Sequence, residues 1–293
     1  MTGVPAGSPA GGSPGGERWR LVVAYDGTGF HGFAAQNGLR TVAGELATAL
    51  GRATRSEVAI TCAGRTDRGV HAAGQVVHVD LPAGTVGLDG DQVRRACNRQ
   101  LAPEIVVLAC DRAPAGFDAR RSALARRYRY LIVNGPAPDP LLARMAWFVA
   151  DPLDVRSMAT AADAVVGEHD FRAFCRRVPG RSPEEPITRR VVDARWSVGG
   201  GDGRDAFLPF RAPAAPPPLP VLPAVGRLLA FEITGNAFCH QMVRSLVGTL
   251  VEVGRGRRRP ADLVAILASA ERSRAAQPAP AHGLCLVSVD YGG

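Results

Sequence analysis

The sequence predicts an α/β (α+β) protein. Segments with a two-residue apolar period alternate with segments of helical period along nearly the whole chain. The composition, 46% hydrophobic and 21% charged, is that of a chain with a buried core. At 293 residues the chain holds one large domain or two of ordinary size.

Residues 1–17, MTGVPAGSPAGGSPGGE, lack the basic start and apolar block of a signal peptide and are expected to be a disordered tail. Trp19, Leu21, Val23 and Tyr25 alternate, so residues 18–25 read as a strand that ends in the turn signal Asp26-Gly27. Thr41 can cap a helix with Val42, Leu46 and Leu50 on one face. A short strand is expected from Val58 to Cys62, an alternating one from Gln75 to Asp80, a helix over Asp91 to Gln100, and a buried strand from Ile105 to Cys110.

Near Phe117 the pattern restarts. Arg126 to Val133 reads as a strand with Tyr128 and Tyr130 on one face and Arg127 and Arg129 on the other. A helix over Asp154 to Val166 and a strand over Val191 to Val198 follow. Residues 199–226 are too rich in Pro and Gly to pair or coil, and read as an inserted surface loop, since strand pattern resumes at Leu228 to Ile233. Phe238 to Val253 is the clearest helix, with Met242, Val243, Leu246, Val247, Leu250 and Val253 on one broad arc. Arg244 and His240 fall just past its edge. Gly248, one turn beyond Arg244, leaves room for that side chain to lie against the core and reach a neighbouring loop. A last strand, Cys285 to Asp290, closes the chain.

The net charge of +8 fits a polyanionic partner. Every basic residue is Arg, which is partly a matter of genome composition. The six cysteines form no CxxC pair, which argues against zinc and a disulfide scaffold, and they are expected to be buried free thiols in a reducing cytoplasm. No apolar run reaches the length of a membrane span. GxxxxGK[ST] does not occur, so P-loop nucleotide chemistry has no motif here. HxH and HExxH are missing too, and no metal is expected. His71, His78 and His240 stand isolated in sequence and are expected to be structural or exposed.

One stretch carries chemistry: Gly64 to Asp80, GRTDRGVHAAGQVVHVD. An isolated GRTD is usually a turn with solvated arginines. Here it resembles the catalytic segment of the tRNA pseudouridine synthase A family. ARRYRYLIVNG at residues 125–135 resembles that family's aromatic strand, and GNAFCHQMVRSLVGTLVEVG at 235–254 its C-terminal helix. LVVAYDGTGFHGF near the start and GLCLVSVDY near the end resemble its terminal strands. Five segments in order, over residues 18–291, make a specific likeness. It departs at Phe33-Ala34, where the family has Trp-Gln; at Phe117-Asp-Ala-Arg-Arg-Ser-Ala123, which lacks a usual His; and in the length of the Pro-rich loop.

The resemblance implies isomerisation of uridine to pseudouridine in tRNA, around positions 38 to 40 of the anticodon stem-loop, by a cytoplasmic, cofactor-free homodimer. It implies two similar subdomains, residues 18–116 and 117–293, with antiparallel sheets joined and a cleft between them. Asp67 would be the catalytic carboxylate, attacking C1′ or taking the 2′ proton to give a glycal; both routes stay open. Either needs an ionised carboxylate, which a nearby cation favours. The resemblance gives that ion pair to Arg244, gives Arg65 the space left by the extruded uridine, and stacks Tyr128 on the uracil, where it could assist removal of the C5 proton. Leu284 would pack against the base. Arg126, Arg127, Arg129, Arg176, Arg177, Arg189 and Arg190 are candidates for phosphate contact. The rival reading is a non-catalytic tRNA-binding protein or RNA chaperone on the same scaffold. A carboxylate-pair glycosidase would need a second acidic residue in motif context, and only Asp67 has one.

Overall fold

The computed structural model describes residues 16–81, 89–176, 180, 182, 184–199 and 226–292. The first half runs β1 (Glu17–Tyr25), α1 (Val42–Thr54), β2 (Thr61–Cys62), β3 (His71–Leu81), α2 (Gly90–Leu101) and β4 (Ile105–Arg112). The second runs β5 (Ala125–Asn134), β6 (Trp147–Val149), α3 (Val155–Asp163), β7 (Gly167–Asp170), β8 (Thr188–Gly199), β9 (Arg227–Gly235), α4 (Met242–Gly254), α5 (Asp262–Ser269) and β10 (Leu284–Asp290).

The mixed α/β class is as expected. The strands form one sheet whose main path is β4-β1-β3-β10-β5-β9-β8-β7, with β2 paired to β3 and β6 to β5. Neighbours on that path are antiparallel except β3 and β10, which run parallel through His71 with Cys285 and Ala72 with Leu286. The last strand of the chain therefore joins a sheet built by the first half to one built by the second. That join directly follows the GRTD loop.

One face of the sheet carries the main core. Leu21, Val23 and Tyr25 of β1, Val77 and Val79 of β3, and Tyr128, Tyr130 and Ile132 of β5 are buried there with Leu46 and Leu50 of α1 and Leu246 and Leu250 of α4. Each such side chain contributes roughly 1.5–3 kcal/mol by leaving water. Thr41 caps α1 by accepting from the Gly44 N–H at 3.2 Å. Asp89 and Gln92 cap α2 reciprocally, each side chain accepting from the other's backbone N–H. The opposite face of the sheet holds a smaller apolar cluster of Leu131, Val133, Ala146 and Ala230.

The structure differs from the sequence reading at several elements. β6 and β7 span 3 and 4 residues, too few to show a period, and α5 spans only 8. α4 starts at Met242 instead of Phe238, because Gln241 adopts left-handed backbone (φ 66°) and the chain before it turns. α3 ends at Asp163, three residues before Val166. Cys175 and Cys239 are joined as a disulfide with Cα atoms 5.7 Å apart, while Cys62, Cys97, Cys110 and Cys285 are free. The expectation of six free thiols fails for that pair because 64 residues separate it and only the fold brings the two together.

Gly199 pairs with Leu228, so residues 200–225 connect two antiparallel neighbours. Those residues, and 1–15 of the expected tail, lie outside the described residues. Among the described residues no helix is long and apolar enough to cross a membrane, and no group of three or more His, Cys, Asp or Glu is placed to hold a metal ion.

Candidate active site

The loop between β2 and β3 is held from four directions. Arg126 of β5 donates to the Ala63 carbonyl at 3.0 Å. The Gln75 amide of β3 donates to the Gly64 carbonyl at 2.6 Å. Tyr25 of β1 shares a 2.8 Å hydrogen bond with the buried Thr66 hydroxyl. The Phe33 N–H donates to the Thr66 carbonyl at 3.0 Å. The Val70 N–H donates to the Asp67 carbonyl at 3.1 Å and closes a turn through Gly69, whose φ of 78° suits a glycine. Asp67 is thus presented on a backbone with little freedom of its own.

Its carboxylate meets two bases from beyond the loop. Arg244 Nη1 lies 3.2 Å from Asp67 Oδ2, and His240 Nε2 lies 3.2 Å from Oδ1. Arg244 is positioned by a second bond, Nε to the Ala279 carbonyl at 2.7 Å, while the Ala279 N–H donates to the Arg244 carbonyl at 2.9 Å. Gly248 makes this possible: a Cβ there would run into the carbonyl of Gln277, so only glycine lets residues 277–279 pass this close to α4. The room expected beside Arg244 is therefore filled by the segment that fixes its guanidinium. Arg65 and Arg68, the neighbours of Asp67 in sequence, are exposed, and neither pairs with it.

His240 is the residue that the sequence reading missed. It was expected to be structural or exposed because no motif spacing flags it. It reaches Asp67 because residues 236–241 turn instead of continuing α4. His71 and His78 are structural, as expected. His71 is buried, accepts the Gly27 N–H at 3.1 Å, and faces the carbonyls of Arg144 and His282 with its other nitrogen. His78 accepts the Ala119 N–H at 2.9 Å.

Tyr128 lies in the core beneath the loop, with its hydroxyl towards Gly64 and Phe238 edge-on to its ring at 5.1 Å. Burial pushes its phenol far above the ordinary tyrosine range, so the hydroxyl is held in its protonated form. Leu284 is buried opposite Tyr130 at the start of β10. Arg126 is also buried, and its guanidinium donates to the carbonyls of Ala63, Arg120, Ala123 and Asn236. Those bonds tie the site's loops together and leave it no reach to a phosphate. Arg127 and Arg129 point to the other face, where both pair with Glu232. Arg176 and Arg190 are exposed and Arg189 partly so; Arg177 lies outside the described residues.

The departures from the family pattern fall on supports. Phe33 is buried against Tyr25, ring centroids 6.2 Å apart, so it packs behind the Asp67 loop. Asp118, where the family's usual His is missing, accepts from the N–H groups of Arg120 and Arg121 at 2.8 Å each. It thereby shapes the turn whose Arg120 carbonyl receives Arg126.

Comparison with known proteins points the same way. The family model described as "tRNA pseudouridine synthase" matches residues 161–292. A tRNA pseudouridine synthase A of Frankia casuarinae is 43% identical over 278 residues, covering 94% of this chain and 89% of that protein. Proteins of the same name from Leifsonia xyli and Brevibacillus brevis are 40% and 38% identical, each over 94% of this chain and over 91% and 100% of their own lengths.

Proposed function

The chain belongs to the tRNA pseudouridine synthase A family, and from that premise we propose that Asp67 is the group that acts on the ribose, at uridines 38 to 40 of the anticodon stem-loop. The enzyme is a pseudouridine synthase and its substrate is tRNA. The reaction breaks the N1–C1′ bond, turns the uracil and joins C1′ to C5; C5 loses a proton and N1 gains one. No electrons are exchanged, so the chemistry asks for a placed carboxylate and a shaped site.

The observation that carries the reading is Asp67 held at 3.2 Å by Arg244, on a rigid loop where the two halves of the sheet meet. Arg244 comes from α4, on the second half, and Asp67 from the first. The exposed Arg65 is free to follow the RNA, where a planar guanidinium can stack on bases and bond phosphates. Extruding the target nucleotide costs a few kcal/mol, less in a loop than in a duplex. We also propose a cytoplasmic homodimer. The exposed apolar side chains of Leu141 and Met145, 78% and 37% exposed, support the dimer.

Asp67→Asn tests the assignment. The amide keeps the shape and loses the nucleophile or base. Release of tritium from C5-labelled uridine in tRNA should vanish, while filter binding of tRNA stays close to parental. Turnover by this variant would remove Asp67 from the chemistry. Mapping pseudouridine in the product tRNA checks the target positions.

A further inference from the structure

His240 does more than border the site. We infer that it is a second positioning residue for Asp67: an imidazole that orients carboxylate oxygen Oδ1 in its neutral form and makes turnover pH-dependent. The inference rests on Asp67 being the acting carboxylate.

Both oxygens of Asp67 have a partner, but the partners differ in kind. Arg244 holds Oδ2, and its side chain is 16% exposed; His240 faces Oδ1, and its side chain is 40% exposed. Arg244 is therefore the more buried partner and His240 the more exposed one.

The backbone that carries His240 is built for this placement. The Arg176 N–H donates to the His240 carbonyl at 2.9 Å. Cys239 is joined to Cys175, and Phe238 packs on Tyr128. Asn236 accepts Arg126 through its carbonyl and the Arg190 N–H through its side chain. Gln241 is kept in left-handed backbone at φ 66°, a conformation costly for a non-glycine residue that persists where its surroundings impose it. Five successive contacts thus stop α4 short and turn the imidazole toward the carboxylate.

Neutral imidazole with its proton on Nε2 can donate toward Oδ1 while leaving the carboxylate's charge with one full counter-ion, Arg244. Protonation adds a second full cation. A carboxylate between two cations is a weaker nucleophile and a weaker base, whichever route the reaction takes. Histidine is the side chain that changes charge near neutral pH. The charged and titratable groups at this point are Asp67, Arg244 of α4 on its other oxygen, and Tyr128 of β5, which lies near Asp67. Turnover should fall on the acid side of neutral pH.

The test is a single-turnover profile from about pH 5.5 to 9 on prefolded tRNA, for the parent, His240→Ala and His240→Gln. His240→Ala should slow the saturated rate by about 10- to 100-fold with tRNA affinity and thermal stability near parental. His240→Gln keeps a donor and cannot titrate; it should recover most of the rate and lose the acid-side fall. A parental rate and profile in His240→Ala overturns the inference, as does a variant that loses tRNA affinity but keeps its saturated rate. An NMR spectrum of the free protein gives a readout without turnover. The His240 ring signals, identified by their loss in His240→Gln, should move in Asp67→Asn, because the imidazole loses the carboxylate 3.2 Å from its Nε2. Unchanged ring signals would overturn the pairing. A parent that makes no pseudouridine would instead overturn the proposed function, and the ring signals would still judge His240.

Discussion

The contrast between Arg244 and Arg126 shows what a single residue can disclose. Both lie in the segments that resemble the family, and both were assigned contacts. Arg244 reaches Asp67 as implied, 177 residues away along the chain. Arg126 shares the parity of Tyr128 and Tyr130 in β5, so strand alternation already places it on the buried face, away from Arg127 and Arg129. The notice lay in the spacing, and a count of arginines hides it. His240 left no such trace, since its role depends on a turn that periodicity reads as helix. For Arg244 the geometry gives a graded expectation. Arg244→Ala leaves the carboxylate without its inner cation and empties the bond to the Ala279 carbonyl, so saturated turnover should fall by about 100-fold or more. Arg244→Lys keeps the charge, loses the planar fork that serves both partners at once, and should regain only part of that rate. Equal rates for Lys and Arg would mean that charge alone matters; a parental rate for Ala would mean that Asp67 needs no inner cation. Rates at saturating tRNA decide it.

Among elements, the long strands and α1, α2 and α4 were legible because each carries a full period of buried residues and, for α1, a visible cap. β6, β7 and α5 were too short for a period to register. The start of α4 was misread because apolar Phe238 and Cys239 fit the helical arc while serving the turn before it. The outer faces of β5, β8 and β9 show a further device that composition hides. Glu232 is nearly buried and receives Arg127, Arg129 and Arg195 at 2.6, 2.7 and 2.9 Å. Burial alone would raise its carboxyl, but hydrogen bonds and charge from Arg127 and Arg129 outweigh that and lower it to about 2, from an ordinary value of 4.5. The folded value lies below the unfolded one, so this stabilisation is complete above the ordinary value and is lost as pH falls toward about 2. Glu232→Gln should therefore lower stability at neutral pH, and lose less than the parent on acidification between about pH 5 and 2. Urea midpoints across that range measure both. Parallel pH slopes for parent and variant would show that Glu232 does not carry the acid response.

At the scale of the whole molecule, the strands of the two halves form one continuous sheet. The C-terminal strand β10 lies between β3 of the first half and β5 of the second, so hydrogen bonding is continuous across the join. Nothing in the period of Leu284 to Asp290 announces this, because alternation tells a strand which face to bury and not which neighbours it takes. The proposed site spans the join, since Asp67 enters from one side and Arg244 from the other. Leu286 is wholly buried, opposite Ala72 in β3 and Tyr128 in β5. Leu286→Ala should cost about 2–5 kcal/mol in lost burial and cavity. The informative part is how that loss is shared. Trp19 reports on the first half and Trp196 on the second; replacing Trp147 together with one or other of them by Phe gives single-tryptophan versions for denaturant unfolding. If β10 couples the halves, both versions should show one transition, and Leu286→Ala should move both midpoints by the same amount. A shift confined to the Trp196 version would mean that the halves unfold independently, and that the alignment of Asp67 with Arg244 rests on local contacts of the loops and α4 alone.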